Sequence, residues 1–191
     1  MKLLITGFEP FDGKDINPSW EAVRQIPDQI GKYELCKLNI PTVYGQAAQM
    51  VQEKAEQIGA DVIISVGQAG GRDAVTPERI GVNIRDARIP DNAGVLYQGE
   101  RILPEGPAAY FSTLPVEAMA QAIRDARIPS RVSNTAGCYV CNDVLYTLLN
   151  RYAGTQVRVG FIHVPYLPEQ GTPNMSLEDT IRGLTAAIAV L

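Results

Sequence analysis

This sequence has no run of Lys and Arg, and no basic stripe interleaved with aromatic residues. The electrostatic footprint of a nucleic-acid binder is therefore missing, and no nucleic-acid partner is expected. No apolar run approaches the roughly 18 residues that a membrane span needs, so no membrane association is expected either. The opening Met1-Lys-Leu-Leu-Ile-Thr-Gly7 has too short an apolar run for a signal peptide. It leads into Phe8-Glu-Pro10 and not into a small-residue cleavage site. Cysteine is scarce: three residues, an odd number, without the spacing of a disulfide framework. That usage points to a reducing compartment and a cytoplasmic protein. Histidine is scarcer still, with one in the whole chain.

What is present suits a single globular domain. The chain has 191 residues with 46% hydrophobic content, enough for one substantial core over 1–191. Lys plus Arg number 17 against 21 for Asp plus Glu, a formal charge of −4. Strand and helix patterns alternate without an internal repeat. Lys2–Thr6, Tyr33–Ile40, Asp61–Gly67 and Gln156–His163 read as strands, and the spacing predicts helices from Pro18 to about Gln25, Tyr44–Ile58, Pro115–Ala126 and Ser176–Leu191. Asn17 is an expected N-cap with Pro18 at the first helical position, and Gly59 an expected helix stop. Ile80, Val82 and Ile84 alternate as in a half-buried strand, and Asp86–Tyr110 is irregular. Such alternation implies an α/β fold, a three-layer α/β/α sandwich around a mainly parallel twisted sheet.

One stretch concentrates the chemistry. Ser133–Leu149 reads as the end of a short strand, a small-residue turn, then a helix whose apolar face is Leu145, Leu148, Leu149 and Tyr152. Cys141 falls in or just before the first helical turn. There the free backbone N–H groups and the positive helix end favour a thiolate, so a lowered thiol pKa is expected. Ligands of parallel α/β sheets gather at the carboxyl ends of the strands. The residues just past those ends are Phe8, Phe11, Thr42, Gln68–Arg72, the Gly137–Cys141 turn and His163–Tyr166. A thiol nucleophile needs a base, and the lone histidine, His163, lies at the same sheet edge. A third group, an Asp, Asn or Glu, should orient the imidazole. Glu78 stands out because Thr76-Pro-Glu-Arg79 joins the irregular loop to a strand, with a solvated surface acid beside Arg79 as the alternative reading.

Together these blocks resemble the pyrrolidone carboxyl peptidase family, also called pyroglutamyl peptidase I. Thr6-Gly-Phe-Glu-Pro-Phe11, Gly67-Gln-Ala-Gly-Gly-Arg72, Val75-Thr-Pro-Glu-Arg79 through Asn83, Asp86-Ala-Arg-Ile-Pro-Asp-Asn92, Ser133–Asn142 and Phe161–Gln170 carry the resemblance in order along nearly the whole chain. It implies a cytosolic cysteine exopeptidase without a cofactor or metal, acting on peptides that begin with pyroglutamate. It also implies a homo-oligomer, a tetramer by analogy, with Asp86–Tyr110 as a contact segment. Carried over by position, Cys141 is the nucleophile, His163 the base, Glu78 its orienting group and Arg88 an aid to the oxyanion. Phe8, Phe11, Thr42, Gln68, Tyr139 and Val140 would bind the substrate ring.

The sequence departs from the family pattern at Asp12, Gly81 and Cys138, where Gly, Ala and Thr are usual. Cys138 and Cys141 form a Cys-x-x-Cys, which keeps open the rival reading of a thiol–disulfide oxidoreductase, and a second rival is an inactive module that binds pyroglutamyl groups in the same pocket. The same spacing raises the expectation that mild oxidation closes a reversible Cys138–Cys141 bridge.

Overall fold

A computed structural model describes all of Met1–Leu191. In chain order the elements are β1 (Lys2–Phe8), α1 (Pro18–Val23), β2 (Gln29–Ile30), β3 (Tyr33–Ile40), α2 (Gln46–Ile58), β4 (Val62–Gln68), β5 (Thr76–Pro77), β6 (Ile80–Val82), β7 (Arg85–Asp86), β8 (Gln98–Glu100), β9 (Ala109–Phe111), α3 (Val116–Asp125), α4 (Val140–Arg151), β10 (Arg158–Val164) and α5 (Leu177–Ala189). Six strands form one sheet in the order β2-β3-β1-β4-β10-β5. Its four central strands are parallel, and the two short edge strands run antiparallel to their neighbours.

Strand alternation divides the core in two. Leu3, Ile5, Val62, Ile64, Ile162 and Val164 pack on one face beneath α1, α3 and α5. Leu4, Phe8, Ile63, Val159 and Phe161 pack on the other beneath α2 and α4. The fold is thus the expected three-layer α/β/α arrangement. Because β10 alternates with period two, His163 shares a face with Phe161 and points toward α4. This register puts the histidine on the same side of the sheet as the cysteine.

Local chemistry explains several element ends. Asn17 Oδ1 accepts from Ser19 N at 3.1 Å with Pro18 opening α1, and Ser176 Oγ accepts from Asp179 N at 3.1 Å to open α5. Gly59 closes α2 at φ 64, in the left-handed region. Gly7 has a different task. A Cβ there would stand 2.6 Å from the Trp20 Cα, so only glycine lets α1 pack this close to β1.

Three expectations about local structure change. The half-buried strand expected over Ile80–Ile84 shrinks to β6, and its inward residues are Gly81 and Asn83, not Ile80, Val82 and Ile84. Gly81 lies against Leu145 and the Tyr146 backbone, which brings β6 onto α4. The spacing of Pro115–Ala126 puts Ala118, Met119, Ala122 and Ile123 on one face, but on α3 the buried side chains are Val116, Met119, Ala120 and Ile123, with Ala118 exposed. Arg131–Ser133 forms no strand, only isolated bridges from Ser130 to Val75 and from Ser133 to Glu78.

Candidate active site

The carboxyl ends of β1, β3, β4 and β10 converge on a pocket of about 180 Å³ lined by Phe8, Phe11, Asn17, Thr42, Gln68, Ala69, Ala136, Tyr139, Cys141 and His163. Cys141 is in the first turn of α4, and this helix has no side-chain cap at Tyr139. Its first N–H groups have no partner within the helix and remain available at the site. The polar side chains of that turn are committed elsewhere. Asn142 pairs with Val82 N and with the Val82 and Ile84 carbonyls, while Asp143 accepts from Arg85 and from Gly45 N. Both side chains anchor the start of α4 to its neighbours.

The thiol rests directly on the sheet. Gly67 pairs in register with His163, and a Cβ on Gly67 would stand 2.9 Å from Cys141 Sγ and 2.8 Å from Phe161 Cζ. Burial pushes the Cys141 thiol up to about 12, and Glu78 adds to the rise against Arg72 and the local backbone N–H. This corrects the expected lowering: the helix end favours a thiolate, but loss of water outweighs it here. The resting sulfur is a thiol, which becomes a nucleophile only where a base takes its proton.

His163 is 3% exposed. Its Nδ1 is 2.8 Å from Glu78 Oε1, the geometry in which the imidazole N–H donates to the carboxylate. Burial lowers the His163 pKa below its ordinary value, although the bond to Glu78 works in the other direction. The ring is therefore neutral at pH 7, with Nε2 left as the acceptor. Burial would raise the Glu78 pKa, yet its hydrogen bond to His163 and the attraction of nearby positive charge hold it below the usual carboxylate range. Glu78 is fully buried, which removes the alternative of a solvated acid beside Arg79.

The walls are mostly aromatic. Phe11 and Tyr139 are tilted with centroids 5.8 Å apart, and Tyr44 meets the Tyr139 ring edge-on at 5.6 Å. Tyr139 also donates from its hydroxyl to the Pro90 carbonyl at 3.0 Å. Gln68 Oε1 accepts from Gln170 Nε2 at 2.9 Å, which orients the Gln68 amide. Asn92 bridges Glu9 Oε1 and the Pro10 carbonyl, each at 2.9 Å, and holds the Phe8–Phe11 loop.

Two expected residues lie elsewhere. Val140 is fully buried in the apolar core on the α2 and α4 side of the sheet and does not line the pocket, because the first turn of α4 points it inward. Arg88 lines a neighbouring cleft with Asp12, Asp86, Ala87, Ile89, Cys138 and Tyr139, outside the pocket that holds Cys141. Asn17 and Ala136 also line the pocket though neither is a sequence candidate for the site, and Ala69 enters it as part of the Gln68–Arg72 strand end. Asn17 carried a signal only as a helix cap.

Cys138 and Cys141 are both free thiols. Cys138 opens into the neighbouring cleft and Cys141 into the pocket, with Tyr139 lining both. Burial raises the Cys138 pKa as well. A redox Cys-x-x-Cys needs an acidic, accessible thiol, so the oxidoreductase reading finds no support.

Comparison with known proteins agrees with the geometry. The sequence model of a family described as pyroglutamyl peptidase matches residues 1–191. Pyrrolidone-carboxylate peptidase of Levilactobacillus brevis is 53% identical over 198 residues, covering 100% of this chain and 97% of the relative. That of Lactobacillus johnsonii is 48% identical, covering 100% and 92%. The crystal structure of pyroglutamyl peptidase I from Bacillus amyloliquefaciens superposes with a TM-score of 0.94 at 41% identity, covering 98% of this chain and 95% of that one. A mutant pyrrolidone carboxyl peptidase from Pyrococcus furiosus gives 0.94 at 41% identity, covering 100% and 97%.

Proposed function

The chain belongs to the pyroglutamyl peptidase family, a cysteine peptidase that hydrolyses the bond after an N-terminal pyroglutamyl residue, and we propose that Cys141, His163 and Glu78 perform that hydrolysis. The observation that carries the assignment is a carboxylate-free pocket opening on Cys141, with the only histidine held by a buried glutamate behind it. A pyroglutamyl group is a flat, uncharged lactam with one N–H and one ring carbonyl. Apolar walls with a few aimed hydrogen bonds suit it, and an acid for a free amine would serve no purpose.

Phe8, Phe11 and Tyr139 supply the walls. Because Gln68 Oε1 is taken by Gln170, the Gln68 Nε2 donors are left for the lactam carbonyl, and Asn17 and Thr42 are further polar side chains of the lining. In the reaction His163 Nε2 takes the proton of the Cys141 thiol as the sulfur attacks the pyroglutamyl carbonyl. The oxyanion is met by the free N–H groups of the first turn of α4, that of Cys141 foremost. Arg88, exposed and in the adjoining cleft, assists only if it moves toward that position. Protonated His163 then gives its proton to the leaving amine, and water hydrolyses the thioester by the same base.

The test is release of a chromogenic amine from its pyroglutamyl derivative. Cys141→Ala should abolish turnover with the fold retained, His163→Ala should lose nearly as much, and Glu78→Gln should keep residual activity because it orients the ring without receiving its proton. Substantial turnover by Cys141→Ala would overturn the assignment.

Two broader readings concern assembly and location. A homo-oligomer agrees with exposed Val95, Leu96 and Phe111 in and beside the irregular segment, and sedimentation tests it. No helix is long and apolar enough to cross a membrane. Three free cysteines agree with a cytoplasmic location, which fractionation of cells would test.

A further inference from the structure

Arg72 holds the outer side of the Glu78–His163 pair. It lies in the loop between β4 and β5, and its side chain is 23% exposed. Its Nη1 donates to Glu78 Oε1 and to Thr76 Oγ1, each at 2.6 Å, and its Nη2 donates to the Thr135 carbonyl at 2.9 Å. Glu78 Oε1 thus receives hydrogen bonds from Arg72 and from His163, while Oε2 has no partner in the chain. One carboxylate oxygen is shared between a permanent cation and a ring that must accept a proton.

Such sharing has a chemical consequence. A buried carboxylate with no cation beside it would favour the imidazolium and work against the burial that keeps His163 neutral. A guanidinium on the same oxygen offsets that charge without breaking the hydrogen bond to Nδ1. Glu78 can then orient the ring while Nε2 remains free to take the thiol proton. The charged and titratable groups facing His163 are Glu78 after β5, Arg72 from the β4–β5 loop and Cys141 from α4, with Tyr139 next to Cys141.

We propose that Arg72 is a positioning residue of the catalytic centre, holding Glu78 in place and balancing its charge so that His163 rests as the neutral base. The bond to the Thr135 carbonyl adds a second task, since Thr135 precedes Ala136 of the pocket wall and starts the turn that leads to Cys141. Arg72 therefore ties the base and its glutamate to the segment that carries the nucleophile. Its electrostatic influence lowers both His163 and Cys141, in agreement with this arrangement.

The proposal rests on the roles given above to His163 and Glu78, and the single histidine allows the two to be judged separately. NMR titration of histidine-labelled protein follows one imidazole and requires no turnover. In the full chain, Arg72→Gln should move the His163 titration to higher pH, and Arg72→Lys, which keeps the charge, should move it less. The acid limb of kcat/KM should move the same way, so that Arg72→Gln loses more activity at about pH 6 than at about pH 8. A purely structural role would lower activity equally at both. An unchanged imidazole titration in Arg72→Gln, or equal shifts in the two variants, would overturn the proposal. If wild type failed to release pyroglutamate while the titration shifted as stated, the functional reading would fall and the Arg72 relationship would stand.

Discussion

Gly67 and Cys141 occupy complementary space: the sulfur lies where a side chain on Gly67 would be, 2.9 Å from the position of its absent Cβ. The neighbouring obstacle is the Phe161 ring at 2.8 Å, itself buried in the core, so the added carbon has no free direction. Gly67→Ala should therefore displace the Cys141 sulfur. A stability loss of roughly 1–3 kcal/mol is expected from overpacking, with kcat/KM down by at least about tenfold. Chemical denaturation and steady-state kinetics on the same preparation check both. Wild-type kinetics would mean that Phe161 yields and the thiol keeps its place.

Phe11→Ala tests the pocket wall. Phe11 is partly exposed and touches Tyr139, so the loss should fall on substrate binding more than on folding. A decrease in kcat/KM worth about 2 kcal/mol is expected from the lost ring contact. An unchanged specificity constant would remove Phe11 from the substrate's surroundings.

Cys138 and Cys141 should oxidise independently. The sequence spacing led us to expect a reversible bridge, but the two thiols open into separate clefts. Peroxide should inactivate wild type and Cys138→Ser at the same rate and with the same recovery by dithiothreitol. Recovery in wild type alone would restore the bridge.

Stability should be greatest between about pH 6.5 and pH 9. On the acid side, the folded His163 pKa lies below its ordinary 6.5, so the unfolded chain gains a proton first and stability falls as pH drops below that value. The lowered Glu78 pKa continues the loss below about 4.5. On the alkaline side the sign reverses. The Cys141 thiol is raised from 9.0 to about 12, so the unfolded chain releases its proton first and stability falls as pH rises through that window. Cys141→Ser should remove its alkaline contribution, and thermal unfolding across a pH series would reveal the difference.

Much of this arrangement was readable residue by residue. The strand Tyr33–Ile40 has the bounds its alternation and Pro41 suggest, and Cys141 is in a first helical turn as the small-residue segment implied. Phe8, Phe11, Thr42, Gln68 and His163 share a pocket because strand ends in a parallel sheet face one way. What escaped depended on facing. Val140 adjoins Cys141 in sequence, yet one residue along a helix is about 100° around it, and that turn sends Val140 into the core. Gly81 faces inward because it packs against α4, which no alternation of Ile80 and Val82 reveals. Helix position is local and alone predicts a lowered thiol pKa, whereas the burial that raises it comes from Gly67 and Phe161, far away in sequence. Arg72 was invisible as a partner of Glu78 for a similar reason: its reach depends on how the β4–β5 loop folds back.

The pocket draws its lining from residues as distant as Phe8 and His163, on strands that meet only after β4 has been inserted between β1 and β10. Neither edge of that parallel core can be completed by local contacts, and such long-range pairing is slow to form. In a refolding experiment helices α2 and α4 can regain their circular dichroism early, while the thiol and imidazole are brought together only when the final parallel strand docks. Recovered enzyme activity would then time the last long-range closure of the chain, with far-ultraviolet signal marking an earlier stage.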